Sequence, residues 1–184
     1  MRNVTVAAVQ MKCSKSVEKN IAHAEELVRQ AAAKGAEIVL LPELFERPYF
    51  CQERRYEYYE YAQTAEENPA VRHFSRVAAE LGIVIPVSFY EKEVNNTYNS
   101  VAVLDADGKN LGVYRKTHIP DDHYYQEKFY FTPGDTGFKV FDTRFGANPS
   151  FPKNGWAACN SESIYSRSMA VKLPPKKASW VLFS

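Results

Sequence analysis

Residues 37–45 read EIVLLPELF, and this stretch decides which fold class we predict. Its apolar core is short and β-branched and ends at Pro42, which is typical of a buried strand. Upstream, Val4–Gln10 is a second apolar run of the same kind. Between the two runs, residues 17–34 carry apolar side chains at helical spacing, and Ser16 is a plausible N-cap. A strand–helix–strand unit with two apolar strands predicts a parallel pair in an α/β fold.

The α/β pattern continues downstream. Asn68-Pro69 predicts the start of a second helix, which Gly82 closes, because Pro favours the first helical position and Gly the position after the last. We also predict a strand over Ile83–Tyr90, a hairpin turning at residues 105–108 (DADG), and a further strand over Phe138–Phe141. In such a layout, reactive side chains are expected at the carboxyl ends of strands and in the loops that follow them.

Composition narrows the function classes. The 184 residues are 45% hydrophobic and 24% charged, with a formal net charge of +1, so electrostatics gives no reason to expect nucleic acid as a partner. No apolar run approaches the roughly 20 residues that span a bilayer, and the N-terminus lacks the apolar stretch of a signal peptide. Three scattered cysteines do not suggest a disulfide framework or a zinc cluster. We therefore expect a cytoplasmic globular protein without a membrane partner.

The charge is unevenly distributed along the chain. Residues 1–146 carry 18 basic and 21 acidic side chains, whereas residues 147–184 carry 5 basic and 1 acidic and have no sustained periodicity. We predict a partial α/β domain over 1–146 and a divergent segment over 147–184. A Pro/Ser-rich terminal extension and a segment of different origin both fit this break. Within the segment, residues 180–183 (WVLF) either pack as a strand or remain loose.

Three charged residues are candidates for chemistry. Glu43 follows the strand at Pro42 between apolar neighbours, which would raise the pKa of its carboxyl and suit a general base. Lys116 follows the apolar-rich strand 111–114, where an ammonium could stabilise an oxyanion. Glu127 is a loop carboxylate between aromatic residues and is weak evidence by itself. The competing interpretations are a surface glutamate at a strand end and an ordinary exposed lysine.

A short loop could be drawn as a metal site, because four ligand-type side chains lie within six residues: His118, Asp121, Asp122 and His123. No helix fixes their spacing. We therefore favour a loop that binds a polar substrate or forms hydrogen bonds within itself over a metal site.

Two cysteines in the first part of the chain are candidate nucleophiles. Cys13 follows the first strand, and we interpret it as structural. Cys51 lies eight residues beyond Glu43 and could line the same crevice, but its aromatic neighbours favour a packing role.

Two blocks resemble the carbon–nitrogen hydrolase (nitrilase) superfamily: residues 40–45 (LLPELF) and 114–120 (YRKTHIP). Within it, residues 45–52 (FERPYFCQ) and 125–135 (YQEKFYFTPGD) are similar to the N-carbamoylputrescine amidase branch. The resemblance runs from Val4 to about Gly146. It implies the N-terminal portion of an α-β-β-α sandwich of the nitrilase type, which this chain would leave incomplete.

The resemblance also implies a mechanism, which uses a Glu–Lys–Cys triad and no metal or organic cofactor. Glu43 would be the base that activates the thiol, Lys116 would stabilise the tetrahedral oxyanion, and Glu127 would be a supporting carboxylate. The implied partner is a small carbamoylated amine, N-carbamoylputrescine, which such enzymes hydrolyse to putrescine, carbon dioxide and ammonia in polyamine synthesis. Full-length relatives are expected to form homo-oligomers.

The cysteine of that triad is missing from its expected position. In the family, a strand ending in Cys-Trp follows the segment that corresponds to residues 144–146, but here residues 147–156 read ANPSFPKNGW. Two prolines three residues apart cannot occupy a central strand, and the nucleophile would fall near Lys153. Cys159 lies a few residues further on, is followed by Asn160 rather than Trp, and is not expected to replace it.

Two function classes stay open on this basis. The first is an amidohydrolase by descent whose present chain is inactive for lack of the nucleophile. The second is a non-catalytic fragment or interaction module derived from such an enzyme. A frameshift, a wrong splice or gene-model junction and a fused unrelated end would each produce the break at 146/147, and reading the gene there in all three frames would separate them.

Overall fold

Two helices and six strands make up the regular structure of residues 4–137, 139–146 and 178–183, which are the residues that the computed structural model describes. In chain order they are β1 (Val4–Val9), α1 (Val17–Ala33), β2 (Ile38–Leu40), α2 (Pro69–Leu81), β3 (Ile85–Glu93), β4 (Asn96–Leu104), β5 (Asn110–Arg115) and β6 (Ala178–Phe183). Two 3-10 helices lie at Tyr56–Tyr61 and Glu127–Phe129. This alternation confirms the predicted α/β class.

The strands form two three-stranded sheets that meet at one bridge. β1 lies between β2 and β6 and is parallel to both, which confirms the predicted parallel pair. β3, β4 and β5 are antiparallel neighbours, with the predicted turn between β4 and β5. The sheets join where the Val39 amide donates to the Val84 carbonyl at 3.0 Å and the Val84 amide to the Glu37 carbonyl at 2.9 Å. Of the two interpretations of residues 180–183, the structure has the strand.

The helix ends follow the predicted capping residues. The Lys19 amide donates to the Ser16 hydroxyl at the start of α1, and the Val71 amide donates to the Asn68 side-chain oxygen, 2.9 Å away, at the start of α2. Gly82 ends α2 with φ +64°, a left-handed conformation that glycine adopts without a steric cost.

Both faces of the two joined sheets are buried, because successive side chains along a strand lie in two different apolar clusters. One face packs under α1 and α2 and includes Ala7, Val39, Ile85 and Leu104. The opposite face carries the neighbours of these residues, namely Val6, Ile38, Val84 and Val103, with Phe141 and Phe145 packed against them. The strands are apolar on both faces, as expected for strands covered on both sides.

One predicted strand is wrong. Residues 139–141 of the expected strand Phe138–Phe141 are not in a strand, and Phe138 lies outside the described residues. This segment is held by side chains instead: Lys139 donates to the Val113 carbonyl at 3.0 Å, and Phe141 packs against the face described above. The contacts that hold residues 139–141 are thus made by side chains and not by strand pairing.

The predicted divergent segment 147–184 falls largely outside the described residues, so its domain boundary stays a prediction. Lys153 and Cys159 lie there as well. Among the helices that the structure describes, none has the length and apolar character needed to cross a membrane.

Candidate active site

Glu43 lies just beyond β2, where the chain turns sharply. Leu44, the next residue, has φ +52°, a conformation that is uncommon outside glycine. The turn is stabilised from β3, because the buried Leu44 amide donates to the Ser88 hydroxyl at 3.1 Å. The apolar run that predicts β2 therefore ends in a turn that directs the Glu43 carboxylate toward β4 and β5.

Lys116 follows β5 and is buried. Its amide donates to the Asn99 carbonyl at 2.8 Å, and its carbonyl accepts from the Gly134 amide at 2.8 Å. The backbone of Lys116 is thus held on one side by β4 and on the other by the loop that follows Glu127. The alternative of an ordinary exposed lysine is wrong.

Glu127 opens the second 3-10 helix and is fully buried. Its carbonyl accepts from the Tyr130 and Phe131 amides at 2.9 and 2.8 Å. Its carboxylate accepts from the Tyr49 hydroxyl at 2.7 Å through Oε1. The sequence alone gives little reason to assign Glu127 a role, yet its side chain is among the most deeply buried charged groups that the structure describes.

The three predicted residues come together in one cluster. Lys116 Nζ lies 2.9 Å from Glu43 Oε1 and 2.8 Å from Glu127 Oε2, so a single ammonium bridges the fully buried carboxylate of Glu127 and that of Glu43, whose side chain is 12% exposed. Asn99 Nδ2 also donates to Glu43 Oε1, at 2.5 Å. Within the described part of the chain, Glu43 Oε2 is the one buried side-chain oxygen or nitrogen without a hydrogen-bond partner. Oε1 of Glu43 thus accepts two hydrogen bonds, whereas Oε2 accepts none.

The pKa values of Glu43 and Lys116 are both raised, the first by burial and the second by neighbouring charges. Burial raises the pKa of the Glu43 carboxyl above its ordinary value, and the nearby Lys116 ammonium only partly offsets this. Burial acts to lower the pKa of Lys116, but the two carboxylates outweigh it and raise that pKa. Glu43 is therefore suited to take up a proton while Lys116 stays charged.

Cys51 lies beside this cluster but is not suited to be its nucleophile. It is fully buried among aromatic side chains, in agreement with the predicted packing role. Burial, and next the charge of Glu127, raises the pKa of its thiol, so the thiolate is disfavoured. Its carbonyl accepts from the Gln126 amide at 2.9 Å, which ties this segment to the loop of Glu127. Cys13 is half-buried, and burial raises the pKa of its thiol too.

An aromatic cluster around Phe50 holds the two loops of the site together. The Phe50 ring makes edge contacts with four rings of the two loops, Tyr58, Tyr61, Tyr130 and Phe131, and a tilted contact with Tyr90 of β3. The Tyr130 hydroxyl adds polar ties, because it donates to the Glu53 carbonyl at 2.5 Å and accepts from the Arg55 amide at 2.8 Å. These contacts, which include tyrosines of the 3-10 helix Tyr56–Tyr61, thus hold the loop of Glu127 against the loop that follows Glu43.

Sequence reasoning missed two polar residues of the site, Asn99 and Tyr49. Each donates to a carboxylate that is distant in the chain, Asn99 to Glu43 and Tyr49 to Glu127. Tyr49 stands in the block FERPYFCQ, whose resemblance indicates the branch of the superfamily but no role for this tyrosine. Neither spacing nor composition distinguishes these residues from other Asn and Tyr residues in the chain.

The loop with the possible metal ligands forms hydrogen bonds within itself. Asp122 Oδ1 accepts from the Tyr124 amide at 2.9 Å and from the Tyr125 amide at 3.1 Å. No group of three or more metal-ligating side chains is found in the described residues. The favoured interpretation of a self-bonded loop holds for Asp122.

Gly134 permits a close approach that the site requires. A Cβ atom added there would lie 2.1 Å from the Arg115 carbonyl oxygen, a backbone atom that cannot move aside cheaply. We expect Gly134→Ala to lower the unfolding free energy by about 2–3 kcal/mol through overpacking, measured by urea denaturation. Gly137→Ala, where nothing lies within 4 Å but φ is +65°, should cost about 1 kcal/mol. Equal losses in the two variants would contradict the steric explanation.

Comparisons with known proteins agree with this geometry. A family model described as carbon–nitrogen hydrolase matches residues 5–179. N-carbamoylputrescine amidase from Arabidopsis thaliana is 54% identical over 144 residues, which are 78% of this chain and 48% of that protein. Citrullinase from Francisella tularensis is 46% identical over 145 residues, which are 79% of this chain and 51% of that protein.

A solved structure gives the same picture of the fold. The carbon–nitrogen hydrolase from Helicobacter pylori G27 superimposes with a TM-score of 0.70 at 37% identity, over 75% of this chain and 48% of that one. The chain thus spans about half the length of the relatives it matches. The resemblance drawn from residues 40–45 and 114–120, and the nitrilase-type fold that it implies, are confirmed.

Proposed function

Because the chain belongs to the carbon–nitrogen hydrolase family, we propose that Glu43, Lys116 and Glu127 are the base-and-lysine half of a site that hydrolyses a carbamoyl or amide C–N bond. The observation that carries this proposal is the free, buried Oε2 of Glu43 beside the Lys116 ammonium. A buried acceptor without a partner is costly, so a carboxylate held this way is typical of a group that exchanges protons in a reaction.

The geometry supports a division of roles. Oε2 of Glu43 would accept the proton of a cysteine thiol as its sulfur attacks the carbamoyl carbon, and Lys116 would stabilise the oxyanion that forms from the carbonyl. Glu127, bonded to Nζ at 2.8 Å, would hold the lysine in place. The proton on Glu43 would leave with ammonia. Water would then hydrolyse the thioester, which restores the thiol and releases a carbamic acid that breaks down to the amine and carbon dioxide.

The substrate class follows from the relatives. N-carbamoylputrescine amidase and citrullinase are both named after amines that carry a carbamoyl group. For this chain we propose a small carbamoylated amine, with N-carbamoylputrescine as the first compound to test. Its products would be putrescine, carbon dioxide and ammonia.

This 184-residue chain is proposed to be inactive, because the nucleophile is missing from its expected position near Lys153. Cys51 is buried with a raised thiol pKa, and Cys159 does not stand in the family's sequence context. We expect no release of ammonia when the purified chain is incubated with N-carbamoylputrescine. Turnover that Cys159→Ser abolishes would overturn this expectation.

A chimera tests the half-site directly. Residues 1–146 joined to the matching remainder of the Arabidopsis amidase are expected to release ammonia from N-carbamoylputrescine. In that chimera, Glu43→Gln should lower kcat/KM by about 100-fold or more, because it removes the base. Glu80→Gln, at the exposed end of α2, is the control and should leave kcat/KM unchanged. A folded chimera without activity, or a Glu43→Gln variant that keeps its activity, would contradict the proposed function.

A further inference from the structure

Asn99 contacts both members of the Glu43–Lys116 pair. It lies on β4 and is buried. Its carbonyl accepts from the Lys116 amide at 2.8 Å, and its side-chain Nδ2 donates to Glu43 Oε1 at 2.5 Å. One residue therefore fixes the backbone of the lysine and the carboxylate of the glutamate.

We propose that Asn99 is a positioning residue that occupies Oε1 of Glu43, together with Lys116, and so reserves Oε2 for proton transfer. The role rests on the proposed function, in which Glu43 is the base. The two oxygens of a carboxylate are chemically equivalent, so only their surroundings can make one of them the proton acceptor. Here the surroundings are two donors on Oε1 and none on Oε2.

The chemistry of the donors makes this arrangement directional. An ammonium and an amide NH₂ group donate but do not accept, so a proton on Oε1 would have to displace one of them. A proton arriving at Glu43 is therefore directed to Oε2. Without the Asn99 amide, Lys116 alone would hold Oε1, and the terminal torsion of the glutamate, which is broad and two-fold, could exchange the oxygens.

The strand pleat explains why Asn99 can reach the site. Neighbouring residues of a strand point to opposite faces, and Tyr98 and Ser100 serve the other face of β4. The Tyr98 ring lies 4.2 Å below the Arg115 guanidinium, and the Ser100 hydroxyl donates to Glu91. Arg115 lies on the face of Tyr98 and Ser100, and Lys116 lies on the opposite face. Asn99 thus belongs with Lys116 on the side of Glu43.

The titration of Glu43 reports on this contact without any turnover. The groups that act on its carboxyl are the ammonium of Lys116, the carboxylate of Glu127 and the Asn99 amide, while the thiol of Cys51 and the hydroxyl of Tyr49 sense its charge. The Asn99 bond favours the charged form, so its removal should raise the pKa of Glu43 further. The sign is opposite to the effect of a general loosening that admits water, which would lower that pKa toward its ordinary value.

The experiment is a carbon-13 NMR titration of the side-chain carboxyls in the 184-residue chain, with Glu43 assigned by loss of its signal in Glu43→Gln. In Asn99→Leu, which is close in volume but cannot donate, we expect the midpoint of Glu43 to move up by about one pH unit or more. Asn99→Ser, whose hydroxyl is too short to reach Oε1, should move it in the same direction and serves if the leucine variant does not fold.

Asn20→Leu is the matched control, because it makes the same change at another buried asparagine, whose side chain donates to the Ser14 and Glu46 carbonyls at 2.7 and 2.9 Å and does not bond the Glu43 carboxylate. It should lower the thermal midpoint and leave the Glu43 titration within about 0.3 pH unit of the unmodified chain. A Glu43 midpoint that is unmoved or lower in the folded Asn99 variants would overturn the proposal. Since no step needs catalysis, an inactive chimera would count against the proposed function and not against this contact.

Discussion

Arg115→Met is expected to lower the unfolding free energy by about 3–5 kcal/mol, because it leaves the buried Glu91 carboxylate without a cation. Arg115 donates to both oxygens of Glu91, through Nε at 2.8 Å and Nη2 at 2.7 Å. It also bonds Glu93 and Asp135, each at 3.0 Å, and stacks on Tyr98. The side chains of Arg115 and Glu91 are only 14% and 4% exposed, so water cannot replace the lost bonds.

The matched control is Arg29→Met on α1. Arg29 also bonds two carboxylates, those of Glu25 and Glu80, at 2.7 Å each, but its side chain is 38% exposed. Its loss should cost about 1 kcal/mol or less, since solvent-exposed ion pairs contribute little. Urea denaturation at pH 7 gives both values. Similar losses in the two variants would mean that the Arg115 network is no better shielded from water than the Arg29 pairs.

Two further variants separate charge from geometry at Arg115. Arg115→Lys keeps the positive charge but cannot make the bidentate bond. Its unfolding free energy should therefore lie between those of the unmodified chain and Arg115→Met. Adding Glu91→Gln to Arg115→Met should restore part of the stability, because the buried charge is then gone. Failure of this rescue would place the effect of Arg115 in its other contacts, which are with Glu93, Asp135 and the Tyr98 ring.

Residues that could be predicted from the sequence are those whose local context is distinctive. Glu43 and Lys116 stand where apolar strands end, and Glu127 lies in a long block of family resemblance, so each could be proposed before any contact was known. Ser16 and Gly82 follow from capping chemistry, which depends on a few neighbouring residues.

Contacts that depend on register could not be predicted. Asn99 meets Glu43 across 56 positions of the chain, and the pairing of β4 with β3, which joins β2 at Val84, brings it there. Arg115 reads as one more charge beside Lys116, yet the pleat sends it to the opposite face, toward Glu91. The positive φ of Leu44 likewise has no local signal, because leucine rarely adopts it and a hydroxyl from β3 stabilises the turn.

Lys116→Met is expected to make the stability of the chain strongly dependent on pH. Its removal would leave the carboxylates of Glu43 and Glu127 together without a cation, so Glu43, whose pKa burial and the Glu127 charge already raise, should take up a proton in the folded state. A carboxyl whose pKa is raised on folding stabilises the fold below its unfolded value, near 4.5 for Glu43, and that stability is lost as pH rises. The loss relative to the unmodified chain should be small at pH 5 and about 3–5 kcal/mol at pH 8.

The measurement is urea denaturation of the variant and the unmodified chain at pH 5, 6.5 and 8. In the unmodified chain the pKa of Lys116 is raised, so its contribution is present below its unfolded value of 10.5 and constant over this range. Lys92→Met, on the exposed end of β3, should follow the unmodified chain at every pH. Adding Glu43→Gln to Lys116→Met should flatten the pH dependence, because the carboxyl with the raised pKa is then gone. A loss in Lys116→Met that is equal at pH 5 and pH 8 would show that solvent reaches both carboxylates, and the enclosed base-and-lysine arrangement would then fail.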